Sequence, residues 1–371
     1  MTLHADDQRT TTRGLIEHPS TLEDLTGGLV WTLIVRAPAM ALSPARLVLG
    51  AIGCFVLALW NSVFTLIFET EQNAPRVSFR ELVTDILTGV LSLDPASIVE
   101  TILVNIGRTI VWINAEPLKA AVLYLPSILI ASIAVHAIAR SAAIEHATGR
   151  QTDTVDALTQ SLRSVRQIAL ASLGPFVPVT ILALLILAIG FTLGIPILDL
   201  LGGLLYGLAL VFSLLAVLIC TLHTVCLPMT VSALAIEGTD GFDAVQRSFA
   251  YAASRPLRYA LYMLLALTLA SICLSIAAAI AGSAINLADM LASAATNDAG
   301  RRLLAPITET GDLGATAPAA RSIVEFWRAL LMLLLSGYAL SLVACLASML
   351  YLCMRRVCDG QDTAEIWDPA D

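Results

Sequence analysis

Three pairs of acids recur at the same spacing: Asp153 with Asp156, Asp240 with Asp243, and Asp362 with Glu365. Each follows another acid, at Glu145, Glu237 and Asp359 respectively. Clustered carboxylates can hold a cation or pass a proton. The spacing also matches the start of a helix, where a first acid accepts from free backbone N–H groups and a second, three residues on, resembles a capping box and favours the positive end. Capping accounts for the acids without any ligand and is the preferred reading, so Glu145, Asp153, Asp156, Glu237, Asp240, Asp243, Asp359 and Asp362 are taken as structural elbow residues. The other chemical candidates are His136, His223 and Cys220, with Asn61 as a polar neighbour. In "CTLHTVC", Cys220 and His223 share a helix face while Cys226 rotates away, so a polar packing contact is favoured over a metal or haem ligand. The sequence contains no H-E-x-x-H, G-x-S-x-G or Walker loop, and no catalytic residue, cofactor or metal is assigned.

The elements that must position these residues are apolar. The chain has 371 residues, of which 57% are hydrophobic and 13% charged, with a mean hydropathy of +0.82. A soluble domain carries about 25% charged residues, so the solvent for much of this surface is lipid. The fold expected is an all-α polytopic transmembrane bundle of six spanning helices, near Leu47–Phe68, Leu118–Ala139, Ile168–Ile195, Gly203–Leu227, Leu257–Ala284 and Arg328–Met354. Pro175 and Pro178 should kink the third. The apolar run of the fourth continues to Ile236, so that helix should project beyond the bilayer. Residues 1–46 form an N-terminal tail and amphipathic lead-in, 47–354 the membrane domain, and 355–371 a C-terminal tail.

Of the 21 basic residues, thirteen fall on the side shared by the two tails, the 140–167 loop and the 229–258 segment. This asymmetry puts both termini in the cytoplasm and the protein in a bacterial inner membrane. The outer loops are 69–117 and 285–327. Within the first, "VSFRELVTDILTGVL" and "SIVETILVNIGRTIVWIN" read as helices on the membrane surface, with Trp112 at the interface. No basic run suits nucleic acid, and the seven cysteines show neither zinc-ribbon nor disulfide spacing. Gly203-x-x-x-Gly207 and the Ser271, Ser275, Ala279 series read as close-packing faces.

The acid pairs belong to an internal repeat. "SAAIEHATGRQTDTVDALTQSL" and "SALAIEGTDGFDAVQRSF" both leave a spanning helix through small residues, reach Ile-Glu, then Asp-x-x-Asp, and close on arginine. "CDGQDTAEIW" starts a third copy, completed by the first spanning helix, whose Pro44-x-Arg46 matches Pro256-x-Arg258. Three parallel helix pairs follow, joined by short helices at the cytoplasmic side. After Asp240, the residues Phe242, Val245 and Phe249 form the apolar stripe of one such helix.

The elbow motif resembles a broad bacterial group of multi-pass membrane proteins, over about residues 118–287. It is also similar to the membrane domain of some glycerophosphodiester phosphodiesterases. Because this chain has no room for a catalytic barrel, the resemblance implies a membrane module without phosphodiesterase activity. The architecture is similar to that of mitochondrial carriers as well, but their Pro-x-acid-x-x-base signature is absent. The function expected is a non-catalytic membrane scaffold or complex subunit, with the lipid bilayer and other membrane proteins as partners. A transporter or lipid-handling module is the alternative, and an intramembrane enzyme built on His136, His223 and the elbow acids a second. A tightly packed repeat axis would favour the scaffold and a polar cavity on it the transporter.

Overall fold

Six helices are long and apolar enough to cross a membrane, and every described element is helical. The computed structural model describes residues 30–68, 104, 107–113, 115–297, 300–301, 304 and 316–367. The elements are α1 (Thr32–Ala41), α2 (Pro44–Phe68), α3 (Pro117–Thr148), α4 (Thr154–Arg163), α5 (Val165–Leu173), α6 (Phe176–Leu193), α7 (Leu198–Glu237), α8 (Gly241–Ser254), α9 (Pro256–Ala295) and α10 (Ala317–Asp359). The expected helix at 77–91, residues 305–315 of the second outer loop and most of the N-terminal tail lie outside the described residues, while 285–295 and 317–327 of that loop belong to α9 and α10.

Proline and glycine punctuate the helices as their chemistry requires. Pro44, Pro117 and Pro256 open α2, α3 and α9, where a missing N–H costs no helical hydrogen bond. Gly149, Gly238 and Gly360 close α3, α7 and α10 at φ 69°, 62° and 71°, a left-handed conformation that ends a helix cheaply only at glycine. The expected kink in the third span is a break: α5 ends at Leu173 and α6 starts at Phe176. Pro175 cannot donate there, and the Val177 N–H reaches back to the Gly174 carbonyl at 3.0 Å. By contrast α7 runs unbroken through Pro228 for 40 residues. At 1.5 Å per residue that is about 60 Å, twice the hydrocarbon thickness, so one end of α7 projects as expected.

The core lies toward the C-terminal ends of three of these helices. α3, α7 and α10 run parallel, and each packs against the other two. Their ends near Ser132–Ala143, Met229–Ile236 and Ser341–Arg355 are buried. We call this the elbow end. The contact surfaces are made of small residues: Ala137, Ala233, Ala344, Ser232 and Ser348 have no exposed surface, and Ser348 donates to Ser232 at 3.4 Å. Around this centre α2 packs on α3, α6 on α7 and α9 on α10. The short helices follow the same order: α8 meets α5, α1 meets α9 and α4 meets α2.

α2 and α10 approach each other backbone to backbone. A Cβ on Gly50 would overlap the Gly337 carbonyl, and a Cβ on Gly337 would lie 2.6 Å from the Ala51 nitrogen. Gly203 and Gly207 have nothing within 4 Å of where a Cβ would be, so the glycine pair expected to pack closely does not do so among the described residues. Trp112, expected at the lipid interface, is instead buried and edge-on to Phe64 and Tyr124, with ring centroids 6.3 and 5.6 Å away.

Candidate functional site at the elbow end

Asp153 and Asp240 cap α4 and α8, whereas Asp362 makes a like bond within a turn that starts no helix. Asp153 accepts from the Thr154 N–H at 2.7 Å, Asp240 from the Phe242 N–H at 3.1 Å, and Asp362 from the Ala364 N–H at 3.2 Å. Asp153 and Asp240 have the extended backbone of an N-cap, with ψ 145° and 146°. Asp156 is exposed, in the first turn of α4. Asp240→Ala should therefore lower stability by about 1 kcal/mol, as loss of a cap does, while Asp240→Asn and Asp240→Ser stay near wild type. Denaturant unfolding of the purified variants measures this. A fall for Asn equal to that for Ala would show that the charge, and not the acceptor oxygen, matters.

Of the stripe expected on the helix that Asp240 starts, Val245 and Phe249 pack against the core and Phe242 does not. Gly241, Ala244, Ser248, Tyr251 and Ala252 are buried, while Phe242 is 69% exposed. The reason is proximity: a Cβ on Gly241 would meet the Gln167 carbonyl and the Ala171 nitrogen, so only small side chains fit between α8 and α5. Gln167 seals the approach by accepting from the Gly241 N–H at 3.1 Å.

The first acid of each elbow does more than cap. Glu145 lies one turn inside α3 and pairs with Arg46 at the start of α2. Arg46 is wholly buried. Its Nε and Nη1 have no partner among the described residues, so the Glu145 carboxylate is what offsets burial of that charge. Glu237, the last residue of α7, gathers three groups. Its Oε1 accepts from Arg355 Nη1 at 2.8 Å and from the Tyr351 hydroxyl at 3.0 Å. Its Oε2 lies 3.4 Å from Arg247 Nη1, and Arg247 also bonds Asp243 at 3.0 Å. Arg355 is 3% exposed and its Nη2 donates to the carbonyls of Asp362 and Glu365 at 2.7 and 2.5 Å. Asp359 accepts from the Tyr251 hydroxyl. Burial, and then that hydrogen bond, push the Tyr251 phenol above its ordinary pKa, so it stays a donor at neutral pH.

The C-terminal tail completes the cluster by folding back across it. The Trp367 N–H donates to the Ile236 carbonyl at 2.9 Å, and its indole lies where a side chain on Gly238 would be. The Arg140 guanidinium sits 5.3 Å from the Trp367 ring centroid and donates to the Ala235 carbonyl at 3.3 Å. His146 Nε2 and Thr363 Oγ1 are 3.4 Å apart. A cleft of about 230 Å³ remains, lined by Glu237, Arg355, Gln361, Glu365, Ile366 and Trp367.

Among the described residues the other two histidines are held separately. His136 Nδ1 lies 2.8 Å from Ser161 Oγ, and His223 Nε2 lies 2.8 Å from the Ser172 carbonyl, its ring edge-on to Phe176. Both make the polar packing contacts preferred from the sequence. Cys220 is half-buried and Cys226 fully buried. Among the described residues no three His, Cys, Asp or Glu side chains converge as metal ligands. Sequence reasoning assigned Glu145, Glu237 and Asp359 to the elbows but missed Arg46, Arg140, Arg355, Tyr251, Tyr351 and Trp367. One signal was available: Tyr351 and Arg355 are four residues apart, on one face of a helix.

Comparison with known proteins returns no match, whether to family models, to curated protein sequences or to solved structures.

Proposed function

We propose that the protein is a non-catalytic membrane scaffold, a subunit that holds apolar spanning helices of a partner membrane protein against its exposed flank. One observation carries this reading. In the most apolar stretches of α3 and α10, 39% and 44% of residues are buried, against 6% in each of α6, α7 and α9. The apolar stretches of α6, α7 and α9 thus leave most of their surface uncovered, although α6 packs along α7 and α9 along α10. Packing on that uncovered surface is available, because Gly203 and Gly207 on α7 present an open small-residue face of the kind that spanning helices use to approach closely. The buried serine contact and alanine-rich centre of α3, α7 and α10 also weigh for a scaffold over a transport path.

On this reading the elbow end faces the cytoplasm, following the arginine asymmetry, and the membrane is the inner membrane of a bacterium. The cyclic order of contacts supports three parallel helix pairs, α3 with α6, α7 with α9, and α10 with α2, the last shared between the two ends of the chain. The likeness of the elbow motif to membrane domains joined to enzymes fits a module that positions other machinery.

The test is the size of the particle extracted from native membranes in polymer-bounded lipid discs. The expected mass exceeds the 39.3 kDa chain. Gly203→Ile with Gly207→Ile should reduce it while leaving the thermal stability of the isolated chain unchanged. A single chain in the native extract, or a double variant whose particle is undiminished, would defeat the proposal. A particle containing only copies of this chain would replace the partner protein with self-assembly.

A further inference from the structure

The tail that crosses the elbow end is held as a bound peptide is held. Arg355 grips two of its main-chain carbonyls, the Ile236 carbonyl takes one main-chain N–H, and a single side chain, Trp367, is seated on Gly238 beneath the Arg140 guanidinium. Main-chain hydrogen bonds with one side-chain seat are the pattern of peptide recognition, the first supplying affinity and the second selectivity. All three central helices contribute: Arg140 and His146 from α3, Ile236 from α7 and Arg355 from α10. The occupant belongs to no helix and is joined to α10 through Gly360 at φ 71°. Its own surface is largely exposed, with Trp367 at 44%. A segment with so few buried contacts opens far more readily than the helices under it.

We infer that the elbow end carries a peptide seat, that residues 361–367 are its tethered occupant, and that a short extended segment bearing one tryptophan, presented by another protein, takes the seat when the strap leaves it. The strap meets the seat mainly through Arg355, which takes the main-chain carbonyls of Asp362 and Glu365, and Arg140, which lies over the Trp367 ring. Tethering gives it an effective concentration on the order of millimolar, so a free segment competes only when it binds tightly or when the strap is modified. The seat lies away from the outer faces of α6, α7 and α9, and it stands or falls independently of the assembly proposed above.

The probe is a fluorescent synthetic peptide of residues 360–371. The full-length chain and its Trp367→Ala variant, which keeps the tail but empties the indole position, are titrated in lipid discs. The variant should bind the peptide with a Kd at least about tenfold below that of the wild type, whose own strap competes. A peptide carrying Trp367→Ala should bind neither, and adding Gly238→Val to the variant chain should abolish binding. Equal affinity of wild type and variant, or indifference to the peptide's tryptophan, overturns the inference. If the variant does not fold, a protease site inserted after Gly360 lets the strap be cut from the folded chain. Failure of the emptied seat to rebind the peptide then overturns it equally.

Discussion

Glu237→Ala should lower the unfolding free energy by about 3–5 kcal/mol, the range for removing one partner of a buried ion pair. Arg355 is 3% exposed, and its charge is balanced at 2.8 Å by Glu237, whose side chain is 14% exposed. The carboxylate also receives the Tyr351 hydroxyl, from a side chain with no exposed surface. Truncation leaves both donors unsatisfied inside the bundle. The Arg247 contact adds little, because that side chain is 36% exposed and pairs of this kind contribute under about 1 kcal/mol. Glu237→Gln should be milder, because an amide oxygen still accepts from both groups. Glu237→Ala combined with Arg355→Met should recover part of the loss by removing the stranded charge. Unfolding by sodium dodecyl sulfate titration in mixed micelles ranks the variants. A Glu237→Ala chain within about 1 kcal/mol of wild type would show that the guanidinium is neutralised in another way.

Gly50→Val should cost about 3 kcal/mol or more, at or above the upper end for overpacking a core. The added Cβ would lie 2.9 Å from the Gly337 carbonyl carbon and 3.1 Å from its Cα. These are backbone atoms, so no side-chain rotation relieves the overlap and the helices must part. Separation would also disturb the Ser341 hydroxyl, which donates to the Ala41 carbonyl at 3.0 Å. The control is Gly207→Ala, where a Cβ meets nothing and the gain in helix propensity makes the isolated chain slightly more stable. The same unfolding titration separates them. Similar behaviour of the two variants would refute the seam.

These two predictions rest on features of different visibility. The six spans were legible because a run of twenty apolar residues has few alternatives in a chain this poor in charge. The caps were legible because an aspartate accepting from the next turn is a local arrangement, complete within three residues. The pairs Arg46–Glu145 and Arg355–Glu237 join residues 99 and 118 positions apart. Nothing local distinguishes such an arginine from one that faces the membrane surface, and all were read as orientation signals. Gly50 and Gly337 carry no four-residue glycine motif, whereas Gly203 and Gly207 do and stand open. The small-residue face that α8 buries most deeply was not legible for the converse reason. Periodicity ranks Phe242 above Ala244 by hydrophobicity, but a close helix approach selects by size.

The seam between α2 and α10 also sets a timetable. Beside it Ser341 bonds Ala41, the last residue of α1 and 300 positions away, and a ribosome adding about 5–20 residues per second takes on the order of 15–60 s to cover that distance. Throughout that interval α2 has left the ribosome while the helix that must cover Gly50 is still unmade. The contact order of this seam is close to the largest the chain permits, so its closing is the late event of biogenesis. A nascent bundle of this design presents an unpaired glycine groove and, until α3 emerges, an unneutralised Arg46. Insertion machinery that shelters early helices until synthesis ends is therefore a requirement of the topology.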